Sequence, residues 1–451
     1  MKEGFSMVDE KKAVSHLQDL IRCKTISYPD RSRIDYSEFA KLREQLAKNY
    51  PLLHQQAEVT LIEGNSLIFH LKGTDGSRLP LGLMGHMDVV PVSEKGWICD
   101  AFSAEIRDGY VYGRGTLDMK GQVAAILEVV ESCLSDQLTF NQDIYILLGH
   151  NEETGSSVAD SGARKTMEYL KSQGVKFGLI IDEGGAFISG KAMGVDGNIA
   201  LIGICEKGYM DVMLSVSQPG GHASMPPKKG ALNLVCEAAI RIENHKFPSS
   251  FNPAAAAMFD ALVPHMKQPL KSLFAHRNVS GPLLLKALTR SPMSAALVRT
   301  TCVMTQAQGS KASNVLPQKA SVVLNLRLAS GDNVDHVMNR LKKLAGSAVE
   351  VTLLMANEPT TLSPTNGPHY DRVRQAILQS FPEYKVVAPY PVVAATDSRV
   401  YSDMAEATYR FVPFPSLIED ISTLHADNER IKIDSFMQGI KFFEVILTTT
   451  K

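Results

Sequence analysis

Four apolar, strand-like runs of this chain each lead into a residue that can bind a metal ion, at intervals of roughly thirty residues. Such runs, separated by helical patterns, predict buried strands of a mostly parallel sheet covered by helices. Ligands bind such sheets at the carboxyl ends of the strands, where these residues fall. They are His86, Asp118, Glu153 and Asp182, and His425 follows 243 residues after Asp182.

This set of residues offers nitrogen and oxygen ligands and no thiolate, which favours zinc, with cobalt or manganese as substitutes. Five ligands exceed the three of one catalytic zinc but suit two ions that share a bridging carboxylate. Taken singly, Asp182 also fits a helix N-cap and His425 an ordinary loop histidine. The joint pattern favours a two-metal site.

Two neighbouring positions add chemistry to this site. Asp88 lies two residues after His86, so both side chains point to the same face of an extended strand. Asp88 can then accept a hydrogen bond from the imidazole nitrogen that does not bind metal. Glu152 and Glu153 are adjacent and point apart in an extended loop, so one can bind metal while the other acts as general base. A solvated Glu–Glu surface pair is the alternative.

Composition and charge exclude several classes of protein. The net charge is −1 without a long run of one sign, which argues against a nucleic-acid or membrane-surface partner. No apolar stretch has transmembrane length, and charges occupy the N-terminal positions where a signal peptide is apolar. The six cysteines are scattered without a Cys-x-x-Cys motif. We therefore expect reduced thiols and a cytoplasmic location.

The pattern along the chain predicts two domains, one inserted into the other. Alternating strand and helix patterns fill residues 1–206 and return over 358–451, which predicts a split catalytic domain. Residues 207–357 follow a β-α-β-β-α-β order, a ferredoxin-like α+β plan, and form a predicted lid or dimerisation domain. An additional helical segment interrupts this plan at about residues 245–298.

Eight motifs of the chain resemble those of the dinuclear-zinc aminoacylase and carboxypeptidase family, which includes carboxypeptidase G and succinyl-diaminopimelate desuccinylase. The resemblance runs from about Leu17 to the C-terminus and is greatest for the branch of carboxypeptidase S and the N-acyl amino acid hydrolases. The motifs are GHMDVVP (85–91), DGYVYGRGTLDMKG (108–121), GHNEETGS (149–156), EKGYMDVML (206–214), GGHASMPP (220–227), NVLPQKASVVLNLRL (314–328), ATDSRVY (395–401) and LHADNERI (424–431).

The resemblance implies a role for each candidate residue of the metal site. It places His86 and Asp182 on one zinc ion and Glu153 and His425 on the other, with Asp118 bridging. It implies Glu152 as the general base and Asp88 as the residue that orients His86. Departures from the family pattern at Met119, Asn151 and Ala394-Ala395 remove none of these residues.

The resemblance also implies residues that contact substrate. His222 is the expected electrophilic histidine near the scissile carbonyl, and Asn314 and Arg327 are expected substrate contacts. Arg399 is a candidate clamp for a substrate α-carboxylate, because a guanidinium matches a carboxylate in plane. A homodimer is expected, and if the strand YMDVMLSVSQ is a sheet edge, two lids can pair through it and bring His222 to the neighbouring subunit's site.

The sequence thus predicts a metal-dependent amidohydrolase that cleaves the C-terminal amide bond of short peptides or N-acyl amino acids. Its alternative is a biosynthetic deacylase, such as an acetylornithine deacetylase or a desuccinylase. A catalytically silent binding protein of the same fold is a more distant alternative, which the intact set of ligands and Glu152 disfavours.

Overall fold

A computed structural model describes residues 8–155, 161–416 and 418–448. They divide into two compact units. The first unit contains the described residues up to Ile204, Ser363–Pro389 and those from Ala395 onward. The second unit contains Cys205–Leu362 and Tyr390–Ala394.

Five of the helices begin at a short polar side chain that caps the first turn. Asp, Ser or Asn side chains accept a backbone N–H in the first turn of five helices, which satisfies donors that have no partner inside the helix. The α-helices of the described residues are α1 (Glu10–Ile21), α2 (Tyr36–Asn49), α3 (Pro51–Gln56), α4 (Lys120–Ser135), α5 (Gly162–Ser172), α6 (Ala231–Asn244), α7 (Pro253–Leu262), α8 (Leu270–Ala275), α9 (Arg277–Leu288), α10 (Pro292–Val298), α11 (Val334–Ala345), α12 (Pro368–Ser380), α13 (Ile418–Ile421) and α14 (Ile433–Thr448).

The strands of the described residues form one large sheet and three smaller ones. The strands are β1 (Glu58–Ile62), β2 (Ser66–Leu71), β3 (Leu81–His86), β4 (Ile106–Arg107), β5 (Tyr110–Tyr112), β6 (Ile144–Gly149), β7 (Phe177–Asp182), β8 (Ala186–Ser189), β9 (Asn198–Glu206), β10 (Gly208–Ser217), β11 (Gly221–His222), β12 (Thr301–Gln308), β13 (Val315–Leu316), β14 (Lys319–Leu328), β15 (Glu350–Asn357), β16 (Val386–Val392), β17 (Ala405–Arg410) and β18 (Arg430–Lys432).

The large sheet has the order β1-β2-β6-β3-β7-β17-β9-β16, with β8 paired to β9. Its central strands β6, β3, β7 and β17 run parallel to their neighbours in this group, whereas β1, β2 and β9 pair antiparallel. Every residue of β3, β6 and β7 is buried, as expected for strands covered on both faces. The predicted mixed α/β fold with parallel central strands is confirmed.

The second unit is built on an antiparallel sheet of order β12-β14-β10-β15. Helices α6 and α11 contact each other and the sheet, and the buried residues between them form one core that includes Met210, Val212 and Leu214. These alternate positions of β10 explain the alternating apolar pattern. The order β10-α6-β12-β14-α11-β15 is the predicted ferredoxin-like plan, with α7–α10 in place of the predicted helical segment after α6.

The condition under which two lids could pair through this sheet is not met. The strand YMDVMLSVSQ, proposed as a sheet edge, corresponds to β10, which pairs with β14 on one side and β15 on the other. Its backbone groups are therefore used within the sheet, and the edges are β12 and β15. The alternating pattern indicates one buried face but does not distinguish a central strand from an edge strand.

Candidate metal centre

The candidate metal centre lies at the carboxyl ends of the central parallel strands of the first unit. His86 is the last residue of β3 and pairs in register with Gly149, the last residue of β6. The chain leaves β6 and forms a short 3₁₀ turn that contains Glu152 and Glu153. Since parallel strands end at the same edge, the fold brings these side chains together.

Asp118 is at the centre of the cluster, with a histidine on each carboxylate oxygen. Its Oδ1 lies 3.0 Å from Nε2 of His86, and its Oδ2 lies 3.0 Å from Nε2 of His425. Nε2 of His425 also lies 3.2 Å from Oε2 of Glu153. The structure therefore brings His86, Asp118, Glu153 and His425 into one cluster, with Asp118 between the two histidines, as a bridging carboxylate requires.

The structure does not bring Asp182 into this cluster, and its neighbour Glu183 is there instead. Oδ2 of Asp182 accepts the backbone N–H of Ser398 at 2.9 Å and is fully buried in that loop. Oε1 of Glu183 lies 3.5 Å from Nε2 of His86. Ligand atoms of His86, Glu152 and Glu183 all lie within 4.8 Å of one another. The geometry therefore favours Glu183 over the predicted Asp182.

Asp88 fixes both His86 and the glutamate turn. Nδ1 of His86 lies 3.0 Å from the Asp88 backbone oxygen and 3.5 Å from its Oδ1. The Asp88 carboxylate accepts the backbone N–H groups of Glu152 at 3.1 Å and Glu153 at 3.2 Å. Contacts at Nδ1 leave Nε2 of His86 directed toward Asp118, so the imidazole is oriented for a ligand role.

Glu429, which the sequence analysis did not single out, joins the loops that carry Asp118 and His425. Its Oε1 accepts the backbone N–H groups of Gly115, Leu117 and Asp118 at 3.0, 2.9 and 3.2 Å. Its Oε2 accepts Nη1 of Arg114 at 2.6 Å, and both side chains are almost fully buried. Because Glu429 is four residues after His425, this carboxylate fixes one ligand loop against the other. The sequence indicates Glu429 only through its place in the motif LHADNERI, next to Asn428.

The charges of the cluster are unbalanced in favour of carboxylates. Burial opposes the ionisation of Asp118, but hydrogen bonds from His425 and His86 hold its pKa well below the usual value. Burial, together with the negative charge of Asp118, raises the pKa of Glu183 to about 8. Burial and the charge of Glu183 also raise the pKa of Glu152 well above its usual value. With Glu153, these residues make four carboxylates in one cluster. Bound cations would stabilise their ionised forms.

The donor set fits divalent metal ions. Oε1 of Glu153 is buried and has no hydrogen-bond partner among the described residues, so it is free to act as a ligand. The remaining donors are imidazole nitrogens and carboxylate oxygens, the ligands that zinc accepts in hydrolytic sites.

The second unit places His222 and Asn314 on one small ribbon. β11, which ends at His222, pairs antiparallel with β13, which begins after Asn314. The Asn314 backbone oxygen accepts the N–H of Ala223 at 3.0 Å. The His222 ring is exposed, and its Nδ1 lies 2.7 Å from Oγ of Ser224. These two predicted substrate contacts therefore belong to one local structure.

The two predicted arginine contacts have different surroundings. The Arg327 guanidinium lies over the ring of Tyr209, 4.7 Å from its centroid. Arg399 lies in the 3₁₀ turn Asp397–Tyr401 of the first unit and is only 8% exposed. Burial of Arg399 favours a role inside this loop over that of an open clamp for a substrate.

Histidines and carboxylates held together at the carboxyl edge of a mixed sheet form the kind of site that binds the metal ions of a hydrolase. The sequence profile of Peptidase family M20/M25/M40 matches residues 82–449. The chain belongs to this metal-dependent family and is a metallo-hydrolase, as predicted from its motifs.

Relatives match along nearly the whole chain. A probable carboxypeptidase S-like protein of Dictyostelium discoideum is 32% identical and covers 100% of this chain and 87% of the relative. An N-fatty-acyl-amino acid synthase/hydrolase of Xenopus tropicalis is 32% identical, covering 96% of this chain and 85% of the relative. The fold is similar to an M20 family metallo-carboxypeptidase of Sulfolobus solfataricus, with a TM-score of 0.67, 19% identity and coverage of 96% and 98%.

Among the helices of the described residues, none combines the length and the apolar character that a membrane span needs.

Proposed function

We propose that this chain is a dinuclear-zinc hydrolase that cleaves the amide bond next to a free carboxylate in N-acyl amino acids and short peptides. The observation that carries the proposal is Asp118, which offers one carboxylate oxygen to the side of His86 and the other to the side of His425. The names of the relatives, a carboxypeptidase S-like protein and an N-fatty-acyl-amino acid hydrolase, support both kinds of substrate.

In this proposal, His86 and Glu183 would hold one zinc ion, Glu153 and His425 would hold the other, and Asp118 would be a ligand of both. Bound zinc would lower the pKa of a water molecule and polarise the scissile carbonyl. Cobalt or manganese suits the same donors.

Glu152 is the proposed general base. It lies beside the cluster, and burial with the charge of Glu183 raises its pKa, which makes the carboxylate a stronger base. It takes the proton of the attacking water and delivers it to the leaving amine. Glu153 lies next to His425 and serves as a ligand, so the adjacent glutamates have separate tasks.

The second unit supports a two-chain active site. Asn314 and Arg327 lie toward opposite ends of the β13–β14 segment, because Arg327 is eight residue steps beyond Lys319, a distance of about 26 Å along an extended strand. Asn314 lies beyond the Lys319 end of β14, next to the ribbon in which Leu316 pairs with Gly221. One small substrate therefore contacts both side chains only if they come from different subunits of a homodimer.

Exchange between variant subunits tests this arrangement. Mixing His222→Ala with Arg327→Ala chains should restore activity, because the hybrid dimer contains one site with its own Arg327 and the partner's His222 and Asn314. Mixing His222→Ala with Asn314→Ala should restore none, because both changes affect the same ribbon. Recovery in the second mixture, or none in the first despite heterodimers seen by native mass spectrometry, would contradict the two-chain site.

A hydrolysis panel tests the proposed function itself. The zinc-loaded enzyme should cleave N-acyl amino acids or dipeptides, and the methyl esters of the same substrates should react far more slowly. Glu152→Gln should lose roughly 10²–10⁴-fold in turnover and keep its zinc. Equal turnover of acid and ester would refute recognition of the carboxylate. Preference for N-acetylornithine or N-succinyl-diaminopimelate would favour the biosynthetic deacylase.

A cytoplasmic location remains our expectation, to be tested by cell fractionation.

A further inference from the structure

The helical segment of the second unit carries a charge unlike that of the rest of the chain. Residues 245–298 contain six Lys or Arg residues and one acidic residue, a net charge of +5 in a chain of net charge −1. No Asp or Glu occurs from residue 261 to residue 331. The expectation that no membrane surface is bound rested on the net charge of the whole chain, which conceals this local excess.

The segment folds around its own apolar contacts. The rings of Phe259 and Phe274 stack with centroids 4.5 Å apart, and Phe251 contacts both edge-on. The acidic residue of the segment, Asp260, forms an ion pair with Arg277, so its charge is neutralised internally. Asp260 is the one acidic residue in the sequence of this segment, and the Lys246 ammonium lies 3.9 Å from Glu243 just before it.

Helix α9 exposes apolar side chains on the face that does not contact the rest of the second unit. Leu284 is buried at 5% exposure, whereas Val279 is 86% exposed and Leu283 is 63% exposed. Val279, Leu283 and Lys286 follow the spacing i, i+4 and i+7, which places them on one side of the helix. Met293, at the start of the adjoining helix α10, is 82% exposed. Because Leu284 already faces the interior, these exposed side chains are not needed for the packing of α9.

Two basic residues follow the exposed apolar residues of α9 in the sequence. Lys286 and Arg290 are both exposed, the first on α9 and the second just after its end. Aliphatic side chains beside basic ones are characteristic of helices that lie in the interface of a membrane, with the apolar groups among the acyl chains and the cations near anionic headgroups. A second copy of the chain is disfavoured, because a two-fold interface through this face would bring like charges together.

We propose that α9 and the start of α10 form a docking surface for an anionic lipid bilayer. Val279, Leu283 and Met293 enter the outer part of the bilayer, and Lys286 and Arg290 contact the headgroups. This surface lies within the second unit and does not depend on the proposed chemistry of the first.

Vesicle sedimentation of the full-length chain tests the proposal. The protein should bind vesicles of phosphatidylcholine with 30% phosphatidylglycerol, bind pure phosphatidylcholine weakly, and be released at high salt. Changing both Lys286 and Arg290 to Gln should weaken binding roughly 30-fold, at about fivefold for each basic residue at the surface. Changing Val279 and Leu283 to Ser should weaken it by at least roughly tenfold, because both aliphatic contacts are lost.

Matched variants of the first unit exclude general effects of charge and hydrophobicity. Lys48→Gln with Lys176→Gln makes the same change of charge at exposed positions, and Val59→Ser with Leu61→Ser removes the same exposed side chains from β1. Neither pair should change binding, and circular dichroism should show that all variants are folded.

Four results would overturn the proposal. They are no sedimentation of the wild type with anionic vesicles, equal binding to neutral vesicles, equal weakening by the matched variants, and self-association that is lost in the Val279→Ser, Leu283→Ser variant. Capture by immobilised polyglutamate with the same dependence on Val279 and Leu283 would likewise overturn it, because that would indicate an acidic protein partner.

Discussion

Replacing Glu429 by Ala should destabilise the first unit and weaken metal binding at the same time. The Glu429 carboxylate accepts three backbone N–H groups from the loop that leads to Asp118, and it pairs with Arg114 at 2.6 Å. Both charged side chains are buried, with exposures of 0% for Glu429 and 2% for Arg114. The buried groups that bind this carboxylate are therefore left in a region with little access to solvent.

The size of the loss in stability follows from the groups that are left without a partner. Removing one member of a buried ion pair costs about 3–5 kcal/mol, because the remaining charge is uncompensated. Arg114 keeps its hydrogen bond to the Ala426 carbonyl oxygen at 3.0 Å, which limits the loss. The three backbone N–H groups that lose their acceptor increase the loss of stability. We therefore expect a loss of about 4 kcal/mol in the free energy of unfolding.

The Glu429→Ala substitution should also lower the metal affinity, because the same hydrogen bonds position Asp118. Changes in groups that orient metal ligands typically reduce affinity by about 10–100-fold, and the Asp118 backbone N–H is itself a donor to Glu429. Glu429→Gln should lie between Ala and the wild type, because its amide oxygen still accepts hydrogen bonds while its NH₂ group faces other donors. Urea denaturation of chelator-treated protein measures stability, and competition with a chromophoric chelator measures zinc affinity.

A surface carboxylate provides the control. Glu168 pairs with Lys165 at 3.5 Å on an exposed part of α5, so Glu168→Ala should change stability by less than about 0.5 kcal/mol and leave zinc affinity unchanged. If Glu429→Ala kept both stability and zinc affinity within the range of this control, the inferred coupling of the two loops would be refuted.

Two further variants test particular contacts. Glu183→Gln should lower the zinc content measured by elemental analysis, whereas Asp182→Asn should keep zinc and lower the thermal midpoint through its contact with Ser398; the reverse pattern would restore Asp182 as the ligand. Gly439→Ala should lower stability by about 1–3 kcal/mol, because a Cβ there would lie 2.2 Å from the Phe414 ring, and an unchanged thermal midpoint would contradict this packing.

Local patterns were sufficient to predict most of the elements that surround the site. Buried parallel strands are continuous apolar runs, so β3, β6 and β7 are visible in the sequence and their ends locate the candidate ligands. Helix α6 (Ala231–Asn244) is the first helix of the predicted β-α-β-β-α-β order. The amphipathic spacing of the second unit also predicted the order of its strands and helices. These features depend on residues close together in the chain.

The choice between Asp182 and Glu183 depends on information that the pattern lacks. Adjacent residues at the end of a strand point to opposite sides, so only one of the two can face His86. Which one does so depends on where the loop containing Ser398 supplies a hydrogen-bond donor, and that loop is 216 residues away in sequence. The edge or central position of β10 is likewise decided by pairing with distant strands.

Glu429 was missed for a related reason, and its position explains how the centre is assembled. Its partner Arg114 is 315 residues earlier in the chain, on the other side of the second unit's sequence. His86, Asp118, Glu153 and Glu183 come from the part before the second unit, and His425 comes from the part after it. The Glu429 hydrogen bonds therefore close the first unit across this interruption at the same place where a metal ion would join Asp118 to His425. Folding of the split unit and formation of the metal centre are thus expected to be coupled, because each brings together the same two loops.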